Sequence, residues 1–236
     1  MSNREIDIMD KNISESMDMA PFAIKDCALV ALATGKRAQN LRELRSYLGS
    51  ITTSSIYYHF WGGLLRPRFD DPEYNNDFAI WARHGLHDKV LAERLSLIDP
   101  NDFHNLEDLR LEILEVIEER LDEVDFPLWA SHDNQFEFIR SQIVIFDTLK
   151  EVRHPGELRQ ILPDMSLGSI FYHFIDARHR NASGLDDFQN WIKDLGDECT
   201  ELCKLIHQID PYFSTLAELI SRLVEIFNSF FDKPGS

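Results

Sequence analysis

The segment Ser55-Ile56-Tyr57-Tyr58-His59-Phe60 occurs again later in the chain as Ser169-Ile170-Phe171-Tyr172-His173-Phe174, at an offset of 114 residues. Each copy is followed by an Asp-Phe-x-x-Trp segment, which begins at Asp77 in the first case and at Asp187 in the second. Motifs that recur in the same order along a chain indicate repeated structural units. The sequence therefore predicts a tandem duplication in which the chemically distinctive residues come in two sets.

Further matches extend the repeat over nearly the whole chain. Ile98-Asp99-Pro100, for example, corresponds to Ile209-Asp210-Pro211. We expect a flexible acidic N-terminal tail (1–20), a first helical repeat (21–123), a connector (124–134) and a second helical repeat (135–232). Because the connector is short and partly apolar, we expect the two repeats to form one compact body.

Helical signals dominate both repeats. The apolar residues after Ser131 recur at three- and four-residue spacing, which predicts a one-sided helix. They are Phe136, Ile139, Ile143 and Phe146. Predicted capping residues at helix starts include Ser166, Asp186 or Asp187, and the capping box Thr215-x-x-Glu218. No segment has a convincing strand pattern, so the prediction is an all-α protein: a tandem duplication of a five-helix unit, packed as a pseudo-twofold helical bundle.

The bulk composition is that of an ordinary globular protein. The chain has 236 residues, of which 44% are hydrophobic, and this is enough for a sizeable core. No window approaches the roughly 18 apolar residues of a membrane span, and the N-terminus lacks the features of a signal peptide. Three cysteines do not suggest a disulfide framework. We expect a cytoplasmic protein with no membrane partner.

The charge balance argues against nucleic acid as a partner. The net charge is −17, with 24 basic residues against 41 acidic ones, whereas phosphate binding needs clustered Lys and Arg. An acidic surface can meet a basic protein partner, or it can simply keep the protein in solution.

Several motifs together resemble a family of uncharacterised prokaryotic proteins, found chiefly in bacteria and archaea. They are Ser-x-Tyr-Tyr-His-Phe at Ser55, Asn-Asp-Phe-x-x-Trp at Asn76, and Asp-Pro at Asp99 and Asp210. In that family the motif helix continues with a small residue and two Arg residues, here Ala177-Arg178-His179-Arg180. The first repeat departs from this pattern with Gly63-Leu64-Leu65-Arg66. The resemblance covers both repeats and supports the fold and the pairing, but it implies no reaction.

Two interpretations of the recurring Tyr-His motif remain open. On a helix, Ser169 and His173 share one face, which Tyr172 borders, and Asp187 follows the next loop within reach of His173. These residues are either a buried, hydrogen-bonded brace between helices, which we favour, or part of a binding site. Asp77 and Asp187 can also be explained as helix N-caps alone.

On the second interpretation, the binding site lies at the seam between the repeats. Its candidate ligand-binding residues are Tyr58, His59, Tyr172, His173, Arg178 and Arg180. The arginines suit an anionic or sugar-phosphate ligand. In an enzyme, His173 would be the general base and Asp187 would orient it, but no nucleophile elbow, phosphate-binding glycine loop or His-Glu-x-x-His segment is present.

A metal site is disfavoured. Cys199, Cys203 and His207 line one side of a predicted helix, as zinc ligands can. The corresponding residues of the first repeat are Ala92 for Cys203 and Ser96 for His207. These positions therefore look like a helix packing face, and we expect no metal and no cofactor.

The sequence thus favours a non-catalytic cytoplasmic interaction or ligand-sensing module that binds a protein partner or a small anionic ligand. The alternative is a hydrolase or transferase that acts on a phosphorylated or glycosidic small molecule. Exposure separates the two, because brace residues are buried and bonded to one another whereas site residues line an open, concave pocket.

Overall fold

The computed structural model describes residues 20–66, 73–125, 128–194, 199–212 and 214–232. All of the predicted tail except Ala20, and residues 126 and 127 of the predicted connector, lie outside these ranges. The chain divides into two compact units. The first unit is Ala28–Val144, and the second unit is Met1–Cys27 with Ile145–Ser236.

Two strands of 17 residues each, β1 (Phe22–Ala38) and β2 (Phe136–Val152), pair in a two-stranded antiparallel sheet. The hydroxyl of Thr34 donates a hydrogen bond to the carbonyl of Phe138 at 2.6 Å, and the hydroxyl of Thr148 donates to the carbonyl of Ile24. Each strand continues from one unit into the other. The first unit therefore contains the end of β1 and the start of β2, and the second unit contains the start of β1 and the end of β2.

The described helices of the first unit follow β1. They are α1 (Leu41–Leu48), α2 (Thr53–Trp61), α3 (Asp77–His84), α4 (Lys89–Ser96) and α5 (Leu106–Glu123). Three short 3₁₀ turns accompany them, at Gly62–Leu65, Pro100–Asp102 and His132–Asn134. Apolar side chains with no solvent exposure form the core of this unit, among them Leu44, Ile56, Phe78, Leu91 and Ile113.

The described helices of the second unit follow β2 in a similar order. They are α6 (Pro155–Ile161), α7 (Leu167–Ile170), a π-helical segment (Phe171–Asp176), α8 (Ala177–Arg180), α9 (Asp187–Lys193), α10 (Thr200–His207) and α11 (Leu216–Phe231). A 3₁₀ turn, Leu162–Asp164, lies between α6 and α7. The core of this unit includes the fully buried side chains of Leu158, Phe171, Phe188, Leu202 and Leu219.

Local capping chemistry explains where several helices begin. The predicted cap at Ser166 is confirmed, because its hydroxyl accepts a hydrogen bond from the N–H of Ser169 at the start of α7. The predicted capping box is also confirmed, since Thr215 and Glu218 each accept a hydrogen bond from the other's backbone N–H. Such caps satisfy N–H groups that have no partner inside the helix.

The prediction of an all-α helical bundle is wrong. The segment after Ser131, predicted to be a helix, is the strand β2, and the segment from Phe22 is the strand β1. The apolar residues of β2 fit the spacing expected of a helix as well as that expected of a strand. The β-branched residues of this segment favour a strand over a helix. They are Ile139, Ile143, Val144, Ile145, Thr148 and Val152.

No helix among the described residues combines the length and the apolar character needed to cross a membrane.

Leu149 and Gly35 occupy corresponding positions in β2 and β1, and both adopt a left-handed backbone conformation. Their φ angles are 58° and 76°. A residue with a Cβ atom is strained in this region, whereas glycine is not. The Leu149 side chain is 88% exposed, so it gains little packing energy in exchange for this strain.

We expect the substitution Leu149→Gly to increase the free energy of unfolding by about 0.5–1 kcal/mol. Relief of about 1–2 kcal/mol of left-handed strain outweighs the greater conformational freedom of glycine in the unfolded chain. Chemical denaturation measures the change. Leu149→Ala is the matched control, because it removes the exposed side chain but keeps the Cβ atom. Equal stability of the two variants would contradict the prediction.

Candidate functional site

The first anchor, which we define as Ser55, His59 and Asp77, holds one residue of β2 by its backbone. Ser55 and His59 lie four residues apart on α2, and both are buried. The hydroxyl of Ser55 donates to the carbonyl of Ile139 at 2.7 Å, and the N–H of the same Ile139 donates to Nε2 of His59 at 3.2 Å. The two side chains therefore satisfy both backbone polar groups of Ile139 on the edge of β2 that does not pair with β1.

The second anchor, which we define as Ser169, His173 and Asp187, does the same to one residue of β1. The hydroxyl of Ser169 donates to the carbonyl of Lys25 at 2.6 Å, and the N–H of Lys25 donates to Nε2 of His173 at 2.9 Å. His173 lies in the π-helical segment and is 2% exposed. The equivalent backbone residue of each strand is thus held by a Ser-His pair at the same spacing.

The two aspartates fix the tautomer of each histidine. Nδ1 of His59 lies 2.8 Å from Oδ2 of Asp77, and Nδ1 of His173 lies 2.8 Å from Oδ2 of Asp187. Because Nε2 of each ring accepts a backbone N–H, that nitrogen carries no proton, and the neutral ring donates from Nδ1 to the carboxylate. The predicted bond between His173 and Asp187 is therefore present.

The helix caps are the residues that precede these aspartates. Asn76 accepts from the N–H of Ala79 at 2.9 Å, and Asp186 accepts from the N–H of Gln189 at 2.8 Å. The interpretation of Asp77 and Asp187 as N-caps alone is wrong, because the residue before each of them caps the helix. Their carboxylates bind the histidines instead.

Aromatic rings surround each anchored strand. Phe136 of β2 lies 4.7 Å from the ring of His59, 5.0 Å from Phe78 and 5.6 Å from Trp81, measured between centroids. The indole N–H of Trp81 donates to the carbonyl of Asn134, two residues before Phe136, at 2.7 Å. The Asp-Phe-x-x-Trp segment therefore forms the pocket in which the start of β2 lies.

The second unit repeats this arrangement with β1. Phe22 lies 4.8 Å from His173 and 5.4 Å from both Phe188 and Trp191. The indole N–H of Trp191 donates to the carbonyl of Ala20, again two residues before the phenylalanine, at 3.2 Å. The same Phe-centred contacts thus recur at the start of each strand.

Arg180 adds a positive charge to the second anchor. It donates to Oδ2 of Asp187 at 2.9 Å and lies 4.2 Å from the centroid of the Tyr172 ring. Burial raises the pKa of Asp187, but hydrogen bonds from His173, Arg180 and Asn181 outweigh this effect, so the pKa lies below its ordinary value. Asp187 is therefore held as a carboxylate.

Arg178 and Asp186 form a buried ion pair that the first unit lacks. Their side chains are 15% and 0% exposed, and the closest N–O distance is 3.3 Å. The corresponding residues of the first unit are Leu64 and Asn76. Burial raises the pKa of Asp186 to about 6, although Arg178 opposes the rise. Arg178 Nε has no hydrogen-bond partner although it is buried.

The structure groups the predicted ligand-binding residues by unit. Tyr58 and His59 belong to the first unit. The second unit holds Tyr172, His173, Arg178 and Arg180. Each arginine of this set binds an acidic residue of its own unit, and each histidine has both ring nitrogens bonded. A ligand-binding role for these residues stays a prediction.

The candidate metal ligands form no recognisable centre. Within the described ranges, no three His, Cys, Asp or Glu residues are placed to hold a metal ion. Cys203 Sγ instead donates to the carbonyl of Gln189 at 3.8 Å. Cys27 is buried, and its thiol donates to the carbonyl of Gly168 at 3.2 Å. Burial raises the pKa of the Cys27 thiol to about 12, so this group is held as a neutral donor.

Sequence reasoning missed the backbone partners of the anchors. Lys25 and Ile139 are held through main-chain groups, which leave no mark on the sequence. One usable signal was present, because Ser169 and His173 share a helix face at the same spacing as Ser55 and His59. A hydroxyl donor and an imidazole acceptor at that spacing fit the C=O and N–H of one extended residue.

We expect His59→Leu and His173→Leu each to reduce the free energy of unfolding by about 2–4 kcal/mol. Each substitution leaves a strand N–H without its acceptor and removes the hydrogen bond that the imidazole donates to the carboxylate. Chemical denaturation measures the loss. His104→Leu, at an exposed histidine outside both anchors, is the control. Anchor variants as stable as this control would contradict the structural role.

The buried ion pair leads to a second prediction. We expect Arg178→Leu alone to reduce the free energy of unfolding by about 1–3 kcal/mol at pH 7, because buried Asp186 loses its partner and has to take up a proton. The double variant Arg178→Leu with Asp186→Asn recreates the residues of the first unit, and we expect it to lie within about 1.5 kcal/mol of the wild type. Denaturation of the three proteins measures both effects, and an equal loss in the single and double variants would contradict them.

The contribution of Asp186 to the stability of the fold decreases as the pH rises. The pKa of Asp186 is higher in the folded protein, about 6, than its ordinary value of 3.8, so the folded state binds the proton more tightly. The contribution of Asp186 to stability is therefore fully present below about pH 4 and is lost as the pH rises through about 6. We expect Asp186→Asn to become more stable relative to the wild type across this interval. A constant difference between pH 4 and 7 would contradict this.

Comparison with known proteins gives a family and a fold. OrfY from Thermoproteus tenax, whose structure is solved, is 26% identical to this chain and superposes on it with a TM-score of 0.78. The alignment covers 91% of this chain and 97% of OrfY. No curated protein matches the chain. The model of DUF5752, described as a family of unknown function, matches residues 19–228. The predicted resemblance to an uncharacterised family is thus confirmed, and the chain belongs to the DUF5752 family.

Proposed function

We propose that this protein is a non-catalytic cytoplasmic interaction module that binds a basic surface of a protein partner. The observation that carries the proposal is an acidic stripe on α5 of the first unit. The stripe consists of Asp108, Glu112, Glu115, Glu119 and Asp122. Spacings of three and four residues place these side chains on one face of the helix.

The stripe lies on the face of α5 opposite the core. The buried residues of this helix include Leu109, Ile113 and Ile117. Leu111 lies on the same face as the acids and is 62% exposed. Apolar area within a charged surface is typical of protein interfaces, where it adds affinity to electrostatic steering.

The ion pairs that the acids of α5 form among the described residues involve Glu107, Glu118 and Glu123, so four acids of the stripe take part in none of them. These four are Glu112, Glu115, Glu119 and Asp122. Glu118 binds Arg45, and Glu123 binds Arg94 and Arg120. An unneutralised row of like charges favours a partner that brings positive charge.

The anchors support a structural role for the recurring motif. A general base needs a ring nitrogen that can take a proton from a substrate, but Nε2 of His173 is occupied by the N–H of Lys25. Nε2 of His59 is likewise occupied by the N–H of Ile139. The geometry therefore gives no support to a hydrolase or transferase that uses His173 and Asp187. Arg178 and Arg180 are likewise bound to acids, which disfavours a small anionic ligand.

The equivalent contacts of the two anchors also support the proposal that the chain arose by duplication. Ser55 and His59 bond to Ile139, and Ser169 and His173 bond to Lys25. Ser55 and His59 lie 114 residues before Ser169 and His173, whereas Ile139 lies 114 residues after Lys25.

The experiment that tests the proposed surface uses a soluble lysine- and arginine-rich peptide as the probe. We expect the wild type to bind it more weakly as the salt concentration rises, because exposed charges are screened. We expect Glu115→Lys with Glu119→Lys to weaken binding at low salt by about tenfold or more, since each lost charge contributes about 1 kcal/mol. Fluorescence anisotropy measures the affinities.

A charge-matched control separates a specific surface from the net charge. Glu151→Lys with Glu201→Lys changes the net charge by the same amount at two exposed acids of the second unit. We expect this control to bind within about threefold of the wild type. If both double variants lose affinity equally, only the net charge of −17 attracts the peptide, and the α5 surface is not the site.

A further inference from the structure

Each anchor binds a strand almost entirely through the strand's backbone. In the second unit, Trp191 binds the carbonyl of Ala20, and the second anchor binds both the N–H and the carbonyl of Lys25. The side chain that the pocket encloses is that of Phe22, which is 6% exposed. This combination of main-chain hydrogen bonds and one side-chain pocket is how proteins recognise extended peptides.

The two units hold different sequences in this way. The held segment is Phe22-Ala-Ile-Lys25 in the second unit and Phe136-Glu-Phe-Ile139 in the first. Only the leading phenylalanine is common to both, and the third residue of each segment is a buried apolar side chain. The anchors therefore tolerate sequence differences and require an extended backbone behind a phenylalanine.

The held strand is distant from its anchor along the chain. Lys25 and His173 are 148 residues apart, and Ile139 and His59 are 80 residues apart. No disulfide fixes either strand, since all three cysteines are free. Among the described residues, the strand starts are thus held in place by noncovalent contacts, and an identical segment of another molecule offers the same contacts.

We propose that the second anchor is a strand-binding site that also accepts the segment Ala20–Cys27 of a second copy of this chain. The incoming segment bonds to Ser169, His173 and Trp191 and places its phenylalanine in the same pocket. The product is a strand-exchanged dimer. This inference is independent of the acidic surface on α5, because the two sets of residues do not overlap.

Exchange in the wild type is suppressed by the chain's own segment. A tethered segment acts at an effective concentration of about millimolar, which free copies do not reach at ordinary protein concentrations. A test therefore has to disable the resident strand in one copy and the anchor in the other, so that the only intact pair forms between copies.

Two complementary variants create this situation. Lys25→Pro removes the N–H that His173 accepts, and this N–H lies on the edge of β1 that does not pair with β2, where proline is tolerated. His173→Leu removes the acceptor but leaves the segment Ala20–Cys27 intact. Mixed together, the Lys25→Pro protein offers an intact anchor and the His173→Leu protein offers an intact strand.

We expect native mass spectrometry of the mixture to show a one-to-one heterodimer that neither variant forms alone. We also expect a melting transition in the mixture about 2–6 °C above those of the separate variants, because binding to the folded state raises the melting temperature. A mixture that contains only monomers with unchanged melting temperatures would overturn the proposal.

A peptide in solution gives a second test that needs only one variant. We expect a synthetic peptide of residues Ala20–Val30 to raise the melting temperature of the full-length Lys25→Pro protein. The same peptide with a methyl group on the backbone nitrogen of Lys25 lacks only the N–H that His173 accepts, and we expect no rise. Equal effects of both peptides, or no effect of either, would overturn recognition through this backbone group.

Discussion

Each unit depends on a neutral histidine ring that accepts a hydrogen bond at one nitrogen and donates one from the other. Nε2 accepts a backbone N–H from a strand, and Nδ1 donates to a carboxylate. Protonating the ring would turn the acceptor into a donor that faces another donor, and removing the carboxylate would free the other tautomer. The histidines are buried, so no water replaces a lost partner. The attachment of β1 and β2 to the helices therefore relies on one protonation state.

The helical part of this fold was predictable because its signals are local. Ser166, Thr215 and Glu218 cap helices through neighbours three residues away, and such chemistry is visible in the sequence. The strands were missed because their partners are remote: Ile139 is satisfied by α2 on one edge, and β2 pairs with β1 across about a hundred residues. Apolar spacing alone did not separate a strand from a helix in this segment.

The candidate site was partly predictable for a similar reason. The bond between His173 and Asp187 follows from two motifs that are close in sequence, so their meeting was foreseeable. The backbone of Lys25 carries no residue-specific signal in the sequence. The role of His173 in holding this strand was therefore not foreseeable. The ion pair of Arg178 and Asp186 shows how far two similar units can diverge, since the first unit keeps the cap of Asn76 but has Leu64 in place of the guanidinium.

The long separation between each strand and its anchor has a consequence for synthesis. The segment Ala20–Cys27 leaves the ribosome before its acceptor His173, which is made 148 residues after Lys25. At about 5–20 residues per second, this is a delay of about 7–30 seconds. During that time a strand with an apolar aromatic residue, Phe22, and an unsatisfied edge has no permanent place to bind. The second unit is therefore completed only after the whole of the first unit has been translated, and it is the unit whose nascent strand most needs protection from aggregation.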